Sequence, residues 1–368
     1  MRKRARNTSH HAHTPAVMIC CEILPGLQPF AARELSERFG KRIVLLTQDK
    51  PDAIYCEYRS ELHDLLALRT FVAVYLALQF AIPRPRGLLG HEHYHRLLQA
   101  ITDARSLHAD NTFSGLRISA AGSDSSVFAA LIDQLCRDTG LPYDNENGDL
   151  LLRVRPSALT DGGWEVLIRM TPRPLATRPW RVHNMPGALN ATIAAAMIEM
   201  TNPRPTDRFL NMMCGSGTLL IERLLRCPAT LAVGCDIDAN ALVGARQNLE
   251  AGNTAEKALL CAWDATELPF VAGSFNVICA DLPWGQLVGT HTDNAALYPK
   301  MLTEAAQLAT SSAHLILLTH EIALFERILP SFADVWEVQN VVKVLQGGLH
   351  PRVYVMKRTS SHRYNYHV

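Results

Sequence analysis

Three apolar segments in the second half of the chain each end in an aspartate, and this repetition restricts the fold more than any other feature. Leu231-Ala-Val-Gly-Cys-Asp236, Ala258-Leu-Leu-Cys-Ala-Trp-Asp264 and Phe275-Asn-Val-Ile-Cys-Ala-Asp281 read as strands. Before them, Phe209 and Leu210 end another apolar strand, Gly215 and Gly217 form a turn, and 218–225 read as a helix with Leu219, Leu220 and Leu224 apolar. Residues 240–250 read as the next helix, capped by Asp238. Alternating strands and helices predict an open, mostly parallel, doubly wound sheet. Such a sheet holds ligands outside the carboxyl ends of its strands. Asp236, Asp264 and Asp281 therefore share one ligand-binding edge.

The glycine turn and the first of these acids point to a nucleotide-like cofactor. Glycines let the backbone approach a ligand where a Cβ would collide. The helix N-terminus that follows favours a carboxylate or phosphate. The spacing is G-x-G rather than G-x-G-x-x-G, and no Lys follows as in a phosphate-binding loop. A nicotinamide or ATP site is accordingly disfavoured. Asp236 lies roughly twenty residues after the glycines, the distance at which a doubly wound fold places a carboxylate for a ribose diol. Asp264 is placed to accept a hydrogen bond from an adenine amino group, with Trp263 or Ala265 packing nearby.

Asp281-Leu282-Pro283-Trp284 supplies the reactive element. An exocyclic amine on a base is a poor nucleophile, because its lone pair is delocalised into the ring. A carboxylate and a backbone carbonyl that accept its N–H bonds favour a pyramidal nitrogen and orient it for attack. Pro283 fixes φ and has no N–H, which helps to present the preceding carbonyl. Trp284 offers a face on which a base can stack. Orientation would dominate the rate gain.

On these residues the chain resembles Rossmann-fold S-adenosylmethionine (SAM)-dependent methyltransferases of the amino-methylating class. More narrowly, it resembles the THUMP-containing RNA methyltransferases that form N2-methylguanosine in tRNA. Arg178-Pro-Trp-Arg181, Pro186-Gly-Ala-Leu189 and Ala194-Ala-Ala-Met197 look like that family's lead-in to the glycine turn. Gly347-Gly-Leu-His-Pro-Arg352 with Val353-Tyr-Val-Met-Lys357 looks like its final hairpin, and 17–30 like its first strand and turn. The resemblance implies a cofactor site of Pro186, Leu189, Asn211, Cys214, Gly215, Ser216, Gly217, Thr218, Asp236, Ile237, Asp264, Ala265 and Asp281. It implies a catalytic loop of Asp281, Leu282, Pro283 and Trp284. One departure is visible: the family's turn opens Asp-Pro-x-Cys-Gly, whereas Asn211-Met-Met-Cys-Gly215 stands here. Asn211 accepts a hydrogen bond but carries no charge. The motif alone leaves guanine N2 and adenine N6, in RNA or DNA, as alternatives; the neutral Asn211 adds a non-catalytic RNA-binding or scaffolding relative.

The length of 368 residues predicts more than one core. The resemblance divides the chain into a disordered tail at 1–15, a ferredoxin-like module at 16–82, a THUMP α+β module at 83–171, a proline-rich linker at 172–186 and the Rossmann-fold methyltransferase domain at 187–360. In the first half, strands are expected at 17–23, 42–46, 53–57, 72–80, 112–120, 149–156 and 163–170, and helices at 30–39, 61–68, near 94–101 and at 125–139, the last capped by Ser123 or Asp124. Net charge is only +1, so the chain is not a uniformly basic nucleic-acid binder. Its arginines are nonetheless gathered near the junction of the halves. Arg153, Arg155, Arg173, Arg178 and Arg181 read as phosphate contacts that position RNA rather than read its sequence. His91 and His95 share a helix face, but the spacing of His91-Glu-His-Tyr-His95 does not converge as a metal site does, and no metal is expected. Nine cysteines without a C-x-x-C pair fit reduced thiols in the cytoplasm. Absence of a twenty-residue apolar run excludes a membrane-spanning helix. With tRNA as the partner, a monomer is expected, and the sequence does not indicate a small activator protein.

Overall fold

The computed structural model describes residues 15–46, 50–285 and 291–359; most of the expected N-terminal tail lies outside them. The chain forms two compact units. The first takes residues up to Glu22, 35–68 and 73–174; the second takes 23–34, 69–72 and everything from Leu175 onward.

The first unit is built on β1 (Val17–Glu22), β2 (Ile43–Leu46), β3 (Ala53–Tyr58), β4 (Ala73–Phe80), β5 (Leu116–Ala120), β6 (Leu150–Pro156) and β7 (Trp164–Arg169). They form a single sheet in the order β2-β3-β1-β4-β7-β6-β5. The sequence division at 82/83 separates strands that the structure joins, because β4 pairs with β1 on one side and β7 on the other. The β4–β7 pairing joins residues 84 to 94 positions apart in the chain and leaves no local signal. The unit's own helices are α2 (His91–Ser106) and α3 (Ser126–Thr139), while α1 (Gln28–Phe39) is divided between the units, with 28–34 in the second and 35–39 in the first. The N-cap of α3 is Ser125, one or two residues later than the sequence suggested, and its side chain makes no capping bond. The rings of His91 and His95 meet edge to face at 4.3 Å.

The second unit contains α4 (Ala191–Met200), β8 (Arg208–Asn211), α5 (Thr218–Arg226), β9 (Leu231–Asp236), α6 (Ala239–Ala251), β10 (Leu259–Ala262) and β11 (Phe275–Asp281). It continues with α7 (His291–Leu308), β12 (Ala309–Thr319), α8 (Ile322–Ile328), β13 (Trp336–Lys343) and β14 (Arg352–Arg358). The sheet order is β10-β9-β8-β11-β12-β14-β13. Strands β8 to β12 run parallel; β14 is antiparallel to β12 and to β13. This is the expected doubly wound sheet with a terminal antiparallel hairpin. Helices cover both faces, so the central strands are apolar at nearly every position. Leu315 and Leu317 of β12 pack with Tyr298 and Met301 of α7, while Ile316 and Leu318 pack on the opposite face with Ile193 and Leu220. Order reverses at β8, and the crevice at its carboxyl end is where such sheets take ligands.

Candidate active site

A cavity of about 650 Å³ opens at that crevice, within the size range of small-molecule sites. It is lined by the glycine turn (Asn211 to Ser216, with Thr218), by Asp236, Ile237, Asp264 and Ala265, and by Asp281, Leu282, Pro283 and Trp284. Pro186 and Leu189 of the lead-in segment complete the wall. Every expected cofactor and catalytic residue except Gly217 therefore meets one cavity. Gly217 acts behind it: its φ is +83°, and a Cβ there would stand 3.3 Å from Ala245 of α6. Gly215, at φ +50°, makes the turn itself.

Local folding explains each position. Asp236 ends β9 and is already engaged by backbone. Its Oδ2 accepts from Gly215 N at 2.7 Å, and its Oδ1 accepts from Asp238 N at 3.0 Å. A carboxylate has about four lone-pair sites, so two remain for a ligand. Asp238 caps α6 by accepting from Asn240 N, as the sequence predicts. Strand β10 stops at Ala262, two residues short of Asp264. Asp264 instead stands in the following loop, where its Oδ1 accepts from Thr266 N and Oγ1. The N-terminus of α5 carries no side-chain cap, which leaves first-turn N–H groups beside the cavity.

Three acceptors in the cavity wall are buried without a hydrogen-bond partner: Asn211 Oδ1, Asp281 Oδ1 and Asn294 Oδ1. Asn211 donates its Nδ2 to Cys279 O at 3.3 Å, and its Oδ1 has no partner. Asp281 Oδ1 is likewise unpaired. Burial pushes the Asp281 carboxyl up to about 7. Burial also raises the Cys214 thiol well above its ordinary range. That thiol stays protonated and packed, with its sulfur against Gly234, and is unsuited to act as a nucleophile.

The loop after β11 is held from several sides. Leu282 N donates to Leu318 O at 2.9 Å. The Pro283 carbonyl accepts from Asn294 Nδ2 at 2.8 Å and from Tyr298 Oη at 2.6 Å. Trp284 stacks on His320, with ring centroids 4.1 Å apart and planes 20° from parallel. Burial lowers the His320 pKa, which favours the neutral form of the ring against Trp284. One face of Trp284 is thereby occupied and its position fixed. Sequence reasoning missed Asn294, Tyr298 and His320, which lie on the next helix and after the next strand. It also missed Asn248, a buried side chain of α6. Asn248 Oδ1 accepts from His183 N at 2.8 Å, and its Nδ2 donates to His183 O and Ser216 O, both at 3.0 Å. It ties the lead-in segment to the glycine turn.

The expected phosphate-binding arginines fare differently. Arg178 is 5% exposed. Its Nε meets Glu222 Oε1 at 2.8 Å, while other guanidinium nitrogens donate to Leu175 O and Arg69 O. The same carboxylate accepts from Arg69 Nε at 2.5 Å. Arg178 is therefore a buried structural ion, not a phosphate contact. Arg181 donates to Leu189 O at 2.8 Å and Thr218 Oγ1 at 3.0 Å, bracing the cavity wall against α5. Within the first unit, Arg155 is paired with Glu165 and Tyr55, and Arg153 with Glu22 beneath the ring of Tyr75; each remains about one-third exposed. Arg173 is exposed. The proline-rich stretch expected as a linker is thus partly core, with Arg178 and Trp180 buried.

Comparison with known proteins places this geometry. Residues 178–352 match the family described as RMKL-like, methyltransferase domain. Among curated relatives, the tRNA (guanine(6)-N(2))-methyltransferase THUMP3 of Mus musculus is 30% identical over 48% of this chain and 38% of its own length. The tRNA (guanine(6)-N2)-methyltransferase of Thermus thermophilus is 31% identical over 61% of this chain and 65% of its own. This chain thus aligns with well under half of the mouse relative. Among solved structures, TrmN from Thermus thermophilus superposes with a TM-score of 0.69 at 22% identity, covering 93% of this chain and 99% of that one. A protein from Listeria monocytogenes described as a predicted N6-adenine-specific DNA methylase gives 0.65 at 14% identity, covering 93% and 96%. Both likenesses establish the fold and leave the base open. No helix among the described residues is long and apolar enough to cross a membrane.

Proposed function

We propose that this chain, whose residues 178–352 form an RMKL-like methyltransferase domain, is a SAM-dependent enzyme that methylates the exocyclic N2 of a guanosine in the acceptor stem of tRNA. The observation that carries the reading is the unpaired, buried Oδ1 of Asp281 in the same cavity as the glycine turn and Asp236. SAM, when bound, supplies an electrophilic methyl group. The residues present fit it. Asp236 has spare acceptor capacity for a ribose diol. Asp264 and Ala265 line the wall expected to meet adenine. The uncapped N-terminus of α5 suits a carboxylate, and the orphaned Asn211 Oδ1 is an acceptor for an ammonium group despite lacking the family's charge.

Asp281 is the group that works on the substrate. Its free oxygen accepts an N–H of the exocyclic amine, which localises the nitrogen lone pair. Binding a donor also lowers the carboxyl toward its ionised form. Asn294 and Tyr298 clamp the Pro283 carbonyl, so the loop keeps its geometry before substrate arrives. Trp284, backed by His320, offers its other face to the base. The domain reading of the first half follows the resemblance: ferredoxin-like and THUMP modules at 16–82 and 83–171 that hold tRNA, with Arg173 and the exposed parts of Arg153 and Arg155 available to phosphates. The expected setting is cytoplasmic and the expected state monomeric.

The test is nucleoside mass spectrometry of tRNA incubated with the full-length protein and isotopically labelled SAM. Labelled N2-methylguanosine is expected. N6-methyladenosine as the sole product would transfer the assignment to adenine, and no labelled product with any RNA or DNA, together with no SAM binding, would leave the non-catalytic alternative. For Trp284→Ala, stacking worth roughly 1–3 kcal/mol predicts a KM for tRNA about 5- to 150-fold higher, with SAM affinity unchanged by calorimetry. An unaltered KM and kcat would remove Trp284 from base recognition.

A further inference from the structure

A second cavity, of about 310 Å³, lies in the methyltransferase domain at the opposite end of the sheet. It is bounded by the amino ends of β8, β11 and β12 and by the end of β14. Its lining includes Arg204, Asp207, Asn276, Ser312, His314 and Lys357. His314 and Lys357 are direct cross-strand partners on β12 and β14, so their side chains leave the same face of the sheet. Arg204 reaches the cavity from the loop before β8.

The charge balance of this cavity is its distinguishing feature. Among the described residues Asp207 is the only acid in its wall, and it is already committed. Its Oδ2 accepts from the buried Arg223 Nη2 at 2.9 Å and from Arg204 N at 2.8 Å, and its Oδ1 accepts from Asn276 Nδ2 at 2.9 Å. Arg223 is fully buried, so the Asp207–Arg223 pair is internally neutral. Among the described residues, no carboxylate forms an ion pair with Arg204 or Lys357. Glu337 stands opposite Lys357 on β13, one strand farther from His314, and does not line the cavity. Two cations that form no ion pair among the described residues, Arg204 and Lys357, and an imidazole therefore converge on a concave site in a chain whose net charge is only +1.

We propose that this cavity is a phosphate-binding site, taking a phosphate group on Arg204, Lys357 and His314, with Ser312 and Asn276 as neutral donors. Arginine and lysine are the usual partners of phosphate oxygens, and the flanking amide and hydroxyl complete a donor-rich surface. The same chemistry is offered by an RNA backbone phosphate and by a free phosphate. The site stands apart from the catalytic cavity, so its test does not depend on the reaction proposed there.

His314 is the built-in reporter. Burial, then Lys357, lowers its pKa; Asp207 raises it and Arg204 lowers it further. A bound phosphate brings negative charge against the ring and raises that pKa, so affinity for phosphate increases as pH falls. The experiment titrates inorganic phosphate into the full-length protein and follows the His314 imidazole resonances, assigned with His314→Gln. A saturable shift with a raised His314 pKa is expected. In the double variant Arg204→Gln/Lys357→Gln, phosphate affinity should fall at least about tenfold. Both side chains are exposed, and a thermal melt checks that the variant remains folded. The second arm measures tRNA binding against salt. If RNA is the source of the phosphate, the double variant lowers the slope of log K against log salt by up to about two. Lost phosphate binding with an unchanged slope assigns a free phosphate instead. No saturable shift up to about 10 mM phosphate, together with an unchanged slope, overturns the proposal.

Discussion

Replacing Asp281 should make the protein more stable at pH 8 and nearly inactive. Its carboxyl lies at about 7 against an ordinary value of 3.8, because burial penalises the charge. An acid whose folded-state pKa is raised holds its proton more tightly in the folded chain. Stability is therefore undiminished below about pH 4, falls as pH rises toward 7, and levels off above it. The integrated loss is at most about 4 kcal/mol. Asp281→Asn removes the charge and keeps the shape, so its thermal midpoint should exceed that of the wild type at pH 8, and the difference should shrink as pH drops toward 5. A difference that does not change with pH would contradict the burial of an ionised Asp281. For catalysis, the more severe Asp281→Ala deletes the acceptor. Loss of one preorganised group of this kind costs on the order of 10²–10³ in kcat, while SAM affinity should change little. In the wild type, kcat/KM should rise with pH, pass its half-maximum near 7 and level off about one unit higher, following ionisation of the free enzyme. Retention of full activity in Asp281→Ala would end its assignment to the reacting amine.

Asp236→Ala should produce the complementary pattern. This side chain holds the N–H of Gly215 as well as facing the cavity, so its loss removes both a ligand contact and a support of the turn. A charged hydrogen-bond acceptor is worth roughly 1.5–3 kcal/mol, or about one to two decades in affinity. Calorimetry with SAM should show that weakening. Turnover at saturating SAM should fall much less than in Asp281→Ala. Equal SAM affinity in mutant and wild type would remove Asp236 from the site.

The parts legible in the sequence share one physical property: they are local. Each strand ending in an acid is a run of six or seven residues, and the acid shows its place by where the apolar pattern stops. The sheet's alternation then brings Asp236, Asp264 and Asp281 to one cavity, although Asp264 lies in the loop beyond β10 rather than at its end. The roles that were not legible depend on partners distant along the chain. Arg178 looks like any surface arginine until Glu222, 44 residues later, and the backbone of Arg69, 109 residues earlier, are brought to it. His320 acquires a role only when β12 pairs beside β11 and sets its ring against Trp284. The join of β4 to β7, which fuses two expected modules into one sheet, is likewise set by pairing alone. Asn248 carries no sequence signal beyond being a polar residue on a mostly apolar helix face.

The second unit draws in two short stretches from far upstream, and this imposes an order on its completion during synthesis. Arg69 leaves the ribosome 153 residues before Glu222, and Arg33 leaves 166 residues before Glu199. At ~5–20 residues per second, each guanidinium waits roughly 8–30 s for its carboxylate. Through that interval both must remain hydrated, since an unpaired ion is costly to bury. The nascent chain must therefore keep 23–34 and 69–72 accessible until α4 and α5 emerge, and the second unit buries its earliest segments only after chain made much later is in hand.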